Sequence, residues 1–276
     1  MAIQTLNDVL PKARKGGYAV PNFDVYNLEL LVGVMQACEE ARSPVILAYG
    51  DGFMNFSPIR HFAKMMVSMA EATDLPVVIH WDHGADMEKM ELALDCGFSS
   101  VMIDASSLPY TENVEITRKV VEKCHKLGVS VESELGHVGD EGQNITENYT
   151  HTDPLQARNF VEATGIDALA IAIGNAHGVY TSAPQLRFDI LEQCARDIDV
   201  PLVLHGASGI GDADVKTAIA KGITKVNIHT ELCQAAAAGM KGKLDGHFWN
   251  VTKSQIEAVK QRALEKIMMV GSNGRA

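Results

Sequence analysis

Three times in this chain an apolar run leads to a histidine followed by glycine. Val77-Val78-Ile79 runs into His80-Trp81-Asp82-His83-Gly84, Ala170-Ile171-Ala172-Ile173 into Gly174-Asn175-Ala176-His177-Gly178, and Leu202-Val203-Leu204 into His205-Gly206. Imidazole is the commonest side-chain ligand for a metal, and three imidazoles around an open position are a common catalytic set. His83, His177 and His205 are therefore expected to hold one catalytic divalent ion. Ligand softness favours zinc, with cobalt, iron or manganese as alternatives. Asp82 stands beside the first ligand, where it can act as general acid or base while the metal polarises a carbonyl. An isolated Asp-His could equally be a helix cap beside a satisfied buried histidine. The recurrence is what favours a site.

Such residues meet only if the elements carrying them end on one side. Short apolar strands are expected near 19–23, 45–49, 77–81, 100–103, 129–135, 168–173, 202–204 and 225–228. Helical patterns lie between them, at 5–15, 27–42, 58–73, 87–95, 111–127, 154–164, 188–197 and 213–221, with another from Glu231. Continuous apolar strands separated by helices imply parallel pairing with both faces covered. Eight such units point to a closed (β/α)8 TIM barrel with its active site at the C-terminal rim of the strands. An open doubly wound sheet is the alternative. No break in composition divides the chain, so residues 1–276 are read as one domain with a C-terminal helical extension from about 240, including a helix over 254–269. The rim then gathers Asn22, Asp82, His83, Asp104, Glu132, Glu134, His177, His205, Asn227 and His229.

Around the histidines, Gly206-Ala207-Ser208-Gly209 offers backbone amides and a hydroxyl just before a helix, which is how an acidic protein can hold a phosphate. The polar stretch 136–151 is long for a connection in such a fold and contains Asp140-Glu141-Gly142. It reads as a rim lid that would carry Glu141 as a proton donor or acceptor, or else as a solvated acidic loop.

Composition narrows the partners. The chain has 35 acidic against 24 basic residues, a formal charge of −11, and no basic stripe, which argues against nucleic acid. Its five cysteines are an odd number without a Cys-x-x-Cys pair, consistent with reduced thiols in the cytoplasm. No apolar run approaches the roughly 18 residues of a membrane span.

Asp82-His83-Gly84, Glu132-Ser133-Glu134-Leu135-Gly136, His177-Gly178-Val179-Tyr180, Leu204-His205-Gly206-Ala207-Ser208-Gly209 and Asn227-Ile228-His229-Thr230-Glu231 occur in that order over most of the chain. Together they resemble the class II, metal-dependent family of fructose- and tagatose-bisphosphate aldolases. The resemblance implies a (β/α)8 barrel and reversible aldol cleavage of a ketose phosphate to dihydroxyacetone phosphate and an aldehyde. By position, His83, His177 and His205 match the zinc ligands and Glu134 a residue near an alternative metal position. Asp82 matches the acid/base acting on the C4 hydroxyl, and Glu141 the carboxylate that exchanges the proton on the enolate carbon. Gly178, Gly206, Ser208, Asn227 and Thr230 match groups holding the phosphorylated half, and Asn22 is placed with them at the rim. A monovalent cation, Na+ or K+, near the phosphate and a dimeric or tetrameric assembly are also implied.

Departures from the family concern the substrate. His229 stands where fructose-type enzymes usually have Asp and tagatose-type enzymes Ala; Thr181 replaces a common Lys; Tyr49-Gly50-Asp51 replaces a Ser-containing loop. These changes weaken the case for a second phosphate, which Asp51 would repel if it pointed inward. His80-Trp81-Asp82 and Glu134-Leu135-Gly136-His137 look like a branch associated with ketose 1-phosphates and sugar acids. His229 and His137 could read an acceptor hydroxyl or carboxylate, or serve as structural hydrogen-bonders. A barrel metallohydrolase and a non-catalytic sugar-phosphate binder are the competing readings.

Overall fold

The structure is a computed structural model that describes residues 3–139, 150–180, 183–244 and 246–276. Its strands are β1 (Val20–Asp24), β2 (Val45–Gly50), β3 (Val77–Gly84), β4 (Ser100–Ile103), β5 (Ser130–Leu135), β6 (Ala168–Ile171), β7 (Leu202–Leu204) and β8 (Ile223–Ile228). They form a closed parallel barrel in sequence order, with β1 completing the ring on β8 through Asn22 opposite Asn227. The helices are α1 (Leu6–Gly16), α2 (Leu28–Ala41), α3 (Ile59–Ala72), α4 (Met87–Asp95), α5 (Tyr110–Lys126), α6 (Pro154–Thr164), α7 (Phe188–Asp197), α8 (Asp212–Ala220), α9 (Thr230–Met240) and α10 (Phe248–Val270). The closed parallel barrel of the expected fold class is thus present, and the open sheet is excluded. Among the described residues no helix is long and apolar enough to cross a membrane.

Side chains alternate along a strand, so each strand feeds two compartments. Phe23, Leu47, Ile79, Val101 and Leu204 point outward and join the helices in the larger apolar cluster. Val20, Ile46, Val78, Met102, Ala168 and Val203 point inward and pack with Leu6, Val9 and Leu10 of α1. Helix α1 thereby plugs the amino-terminal end of the barrel. Caps set several helix starts: Asn27 accepts from the backbone of Leu30, Asp86 from Glu88, and Asp153 from Gln156. Each cap of this kind contributes about 1 kcal/mol.

Two boundaries differ from the sequence reading in ways that matter. Strand β3 continues through Asp82 and His83 to Gly84, because Asp82 keeps register with Gly50 and Gly84 with Ile103 across a bulge. Helix α10 begins at Phe248, ahead of the expected 254, capped by His247, whose ring accepts from Trp249 N. Phe248 and Trp249 are exposed, so no buried stripe announces that first turn. A short 3-10 helix over Asp51–Asn55 was not expected, and β6 stops at Ile171 rather than 173. Helix α10 lies along α2 and α9; a side chain at Gly33 of α2 would come within 2.8 Å of Val259.

Candidate metal centre and catalytic site

Two residues beyond the apolar floor, the same inward positions become polar. They are Asn22 and Asp24 on β1, His80 and Asp82 on β3, Glu132 and Glu134 on β5, and Lys225 and Asn227 on β8, all buried. At the lower level, Lys225 Nζ lies 3.0 and 2.9 Å from the two Glu132 oxygens, and Glu132 Oε1 is 2.8 Å from His205 Nε2. Burial alone would raise Glu132, but Lys225 and then His205 hold it down to about 2. His80 donates or accepts at Ser100 Oγ through Nδ1 (2.8 Å) and stands with Nε2 3.3 Å from Asp82 Oδ1. This layer was legible only in part. Lys225 and Asp24 carried no role in the sequence reading, although each shares an inward face with a flagged rim position, Asn227 and Asn22.

Above it, the three expected ligands come together. His83 Nε2 is 2.9 Å from His205 Nδ1, and one ring nitrogen from each of His83, His177 and His205 lies within 4.8 Å of the others. Ring centroids are 4.6, 4.7 and 5.7 Å apart, and the planes are nearly perpendicular. His83 adopts φ 51°, a left-handed conformation that costs a non-glycine residue roughly 1–2 kcal/mol. The kink falls at the β3 bulge, where it sets the ring across from His205. Each of two rings has its other nitrogen engaged: His83 Nδ1 with Asp104 Oδ2 at 2.9 Å and His205 Nε2 with Glu132. Such carboxylate contacts orient metal-binding imidazoles and raise their basicity.

The residues present fit a divalent cation. His177 Nε2 is buried with no hydrogen-bond partner among the described residues, a state that a bound cation relieves. Burial would lower His83, yet Asp82, Asp104 and Glu134 push it up to about 10, which measures the surplus of negative charge facing the cluster. Burial, then the neighbouring imidazoles, hold His177 well below the usual range. A second donor set, His83, Asp104 and Glu134, has its ligand atoms within 4.8 Å of one another, and Glu134 Oε2 finds no hydrogen-bond partner among the described residues. A third, His80, Asp82 and Glu132, is closed off by the Lys225 ammonium on Glu132.

Asp82 is buried beside this cluster, accepting from Asn227 Nδ2 at 3.0 Å. Burial opposes its charge, but His83, His80 and Lys225 outweigh that and hold it well below the ordinary carboxylate range. Asp24 goes the other way: burial and then the Asp82 charge push it well above. The surroundings thus push the two carboxylates in opposite directions, Asp82 toward its ionised form and Asp24 toward its protonated one.

A cavity of 480 Å³ opens over these groups. Of the expected site residues, Asp82, His83, His177, Gly178, Gly206, Ser208, Asn227, His229 and Thr230 line it, joined by Asp24, Asp104, Phe53, Gly50 and Gly52. Asn22, expected to touch substrate, is fully buried and does not line the cavity; Asp24, two residues further along β1, does. Glu134 and His137 stand behind the wall, His137 Nδ1 2.9 Å from Ser106 Oγ. His229 Nε2 meets Cys233 Sγ at 3.2 Å, and its ring packs against Phe53 and Tyr26. Asp51 does not point inward: its carboxylate pairs with Lys89 at 3.0 Å. Glu141 and Thr181 lie outside the described residues.

One end of the cavity is built from Gly178, Gly206, Ser208 and Thr230. Gly206 has φ 62°, and a Cβ there would sit 2.1 Å from the Ala176 carbonyl, so no larger residue fits. The Tyr180 hydroxyl ties the two loops, donating to Gly206 O at 2.9 Å and accepting from Ala176 N at 2.7 Å. Backbone amides and hydroxyls before α8 suit an anion.

Comparison with known proteins places the whole chain in a family. The model of the family described as fructose-bisphosphate aldolase class-II matches residues 4–275. The YdjI protein of Escherichia coli (strain K12) is 51% identical over 261 residues, 94% of each chain. The crystal structure of the YdjI aldolase superposes with a TM-score of 0.92 at 46% identity, covering 100% of both chains. A fructose-bisphosphate aldolase of Campylobacter jejuni shares the fold, with a TM-score of 0.84 at 24% identity over 100% of this chain and 97% of that one.

Proposed function

Because the chain belongs to the class II fructose-bisphosphate aldolase family and is an aldolase, we propose that it cleaves a ketose 1-phosphate reversibly to dihydroxyacetone phosphate and an unphosphorylated aldehyde. The single observation that carries this reading is the convergence of three imidazole nitrogens within 4.8 Å beside the buried carboxylate of Asp82.

In this reading His83, His177 and His205 hold zinc, and Glu134 with Asp104 marks an alternative position for it. When bound, the metal supplies positive charge that stabilises the electron-rich C2 and C3 oxygens of the three-carbon fragment. Asp82 removes the proton from the C4 hydroxyl, the C3–C4 bond breaks and the aldehyde leaves; its electron pair stays on the three-carbon fragment, which becomes dihydroxyacetone phosphate on taking a proton at C3, a transfer assigned to Glu141. Asn227 holds Asp82 in place and Asp24 stays protonated beside it, so one carboxylate of the pair is free to act as base. Gly178, Gly206, Ser208 and Thr230 bind the phosphate, and a monovalent cation, Na+ or K+, is assigned beside it to offset its charge.

A bisphosphate is the less favoured substrate. Among the described residues lining the cavity there is no lysine or arginine to receive a second phosphate, and Lys89 is engaged by Asp51. His229 and Phe53 are assigned to the acceptor end. We assign a homo-oligomer, dimer or tetramer, as the working assembly, with exposed Leu244, Phe248 and Trp249 as its apolar surface.

The test is to offer zinc-loaded protein dihydroxyacetone phosphate with glyceraldehyde 3-phosphate, glyceraldehyde and uronic acids. Condensation with an unphosphorylated aldehyde, abolished by a chelator and restored by zinc, is the expected result. Turnover that survives complete metal removal would refute it.

A further inference from the structure

Glu231, in the first turn of α9, directly follows Thr230 of the catalytic cavity. Its Oε1 accepts from Gly209 N at 3.2 Å, and its own backbone N–H donates to Ser208 Oγ at 3.4 Å. One residue therefore grips two successive positions of the loop assigned to phosphate. A carboxylate so close to a bound phosphate dianion would repel it unless neutralised.

The neutralising charges come from α10. Lys266 Nζ lies 2.8 Å from Glu231 Oε2 and 3.4 Å from Asp212 Oδ1, and Arg262 Nη1 lies 3.3 Å from the same Glu231 oxygen. The Lys266 and Glu231 side chains are only 8% and 15% exposed, so water and salt screen this pair weakly. Lys266 and Arg262 line a neighbouring cavity of about 640 Å³ that meets the catalytic one at Gly178, Ser208 and Thr230. Neither cation lines the catalytic cavity itself. In the neighbouring cavity they share walls with Ser208, Gly209 and Thr230, and their charged atoms lie against Glu231.

We propose that Lys266 and Arg262 are positioning residues for phosphate binding, holding Glu231 neutralised and, through it, the Ser208-Gly209 turn in place. This rests on the assignment of that loop to the substrate phosphate. It makes the C-terminal helix a working part of the site as well as a packing element.

The test uses the full-length zinc-loaded enzyme with dihydroxyacetone phosphate as probe, read as the calorimetric Kd and as separate KM and kcat values for condensation. Lys266→Met is expected to raise Kd and KM about tenfold, the scale of one lost charge pair in a weakly screened site, with kcat largely kept. Lys266→Arg should restore most of the affinity. The double variant Lys266→Met/Glu231→Gln should also recover affinity, because it removes the uncompensated carboxylate, an effect that simple loss of packing would not produce. Should Lys266→Met fail to fold, Arg262→Met reads the same coupling, with a rise of about two- to threefold expected from its more exposed pair. Unchanged affinity in the single variants, or a double variant no better than Lys266→Met, overturns the coupling alone. Wild-type enzyme that does not bind the probe overturns the phosphate assignment and the coupling with it.

Discussion

At the amino-terminal end of the barrel, Val20 and Val78 close on Leu6 and Leu10 of α1, whereas one inward step along the same strands stand Asn22 and His80, and one step further Asp24 and Asp82. Strand geometry is common to both levels; chemistry is not. The apolar floor gains stability from burial at about 25 cal/mol per Å². The polar level above it removes charges from water and holds them only because they pair, as Lys225 does with Glu132. Replacing such a pair with apolar side chains is often neutral or stabilising, so its presence is better explained by orientation of His205 than by stability. The floor makes the barrel, and the polar level makes it an instrument.

That division can be broken at either level. The largest effect is expected from Asp82→Asn, which keeps shape and most hydrogen bonding. Turnover should fall by about 10²–10⁴-fold, the range for loss of a general acid or base, while the melting temperature and metal content stay near wild type. A variant that melts far lower would instead place Asp82 among the structural groups.

Next comes Lys225→Met, which strands Glu132 in the interior and should cost about 3–5 kcal/mol in urea unfolding. Adding Glu132→Gln should recover much of it. The pair also sets a pH dependence. Glu132 is held at about 2 against an ordinary 4.5, so its contribution is full above about 4.5 and is lost as pH falls toward about 2. The slope of stability against pH in that window should be shallower in the double variant than in wild type. Equal slopes would remove Glu132 as its source.

On the floor, Leu10→Ala should cost about 2–5 kcal/mol through the cavity it leaves. The protein that remains folded should keep its KM. A large KM change would mean that floor and rim are not separable. The smallest intrinsic effect is expected from Trp249→Ser in the exposed first turn of α10: little change in monomer stability, and a shift toward smaller species in size-exclusion chromatography if that surface joins subunits. An unchanged elution volume would send the search for an interface elsewhere.

Much of this was readable in the sequence because the strands are short, continuous and apolar. The strands over 100–103 and 202–204 and the helices over 87–95, 154–164 and 188–197 appear with the expected limits. Three histidines at strand ends announced their own convergence once the barrel was inferred. What escaped depended on partners far along the chain. Asp24 carries weight through Asp82, and Lys225 through Glu132, 93 positions away. The bulge that carries β3 past Trp81 depends on register with two neighbouring strands. The turn of Asp51 toward Lys89 depends on a side chain 38 positions away, which hydropathy does not report.

Each strand of this barrel lies beside its successor, except that the last must find the first. Seven contacts can form as the chain lengthens, while the eighth waits for about two hundred residues to be in hand. Asn227 and Lys225 belong to that last strand, and their partners Asp82 and Glu132 lie on strands far earlier in the chain. The base therefore acquires its holder, and the His205 carboxylate its counterion, only at ring closure. Turnover is consequently tied to the closed ring, because only the pairing of β8 with β1 seats the strand that carries both partners.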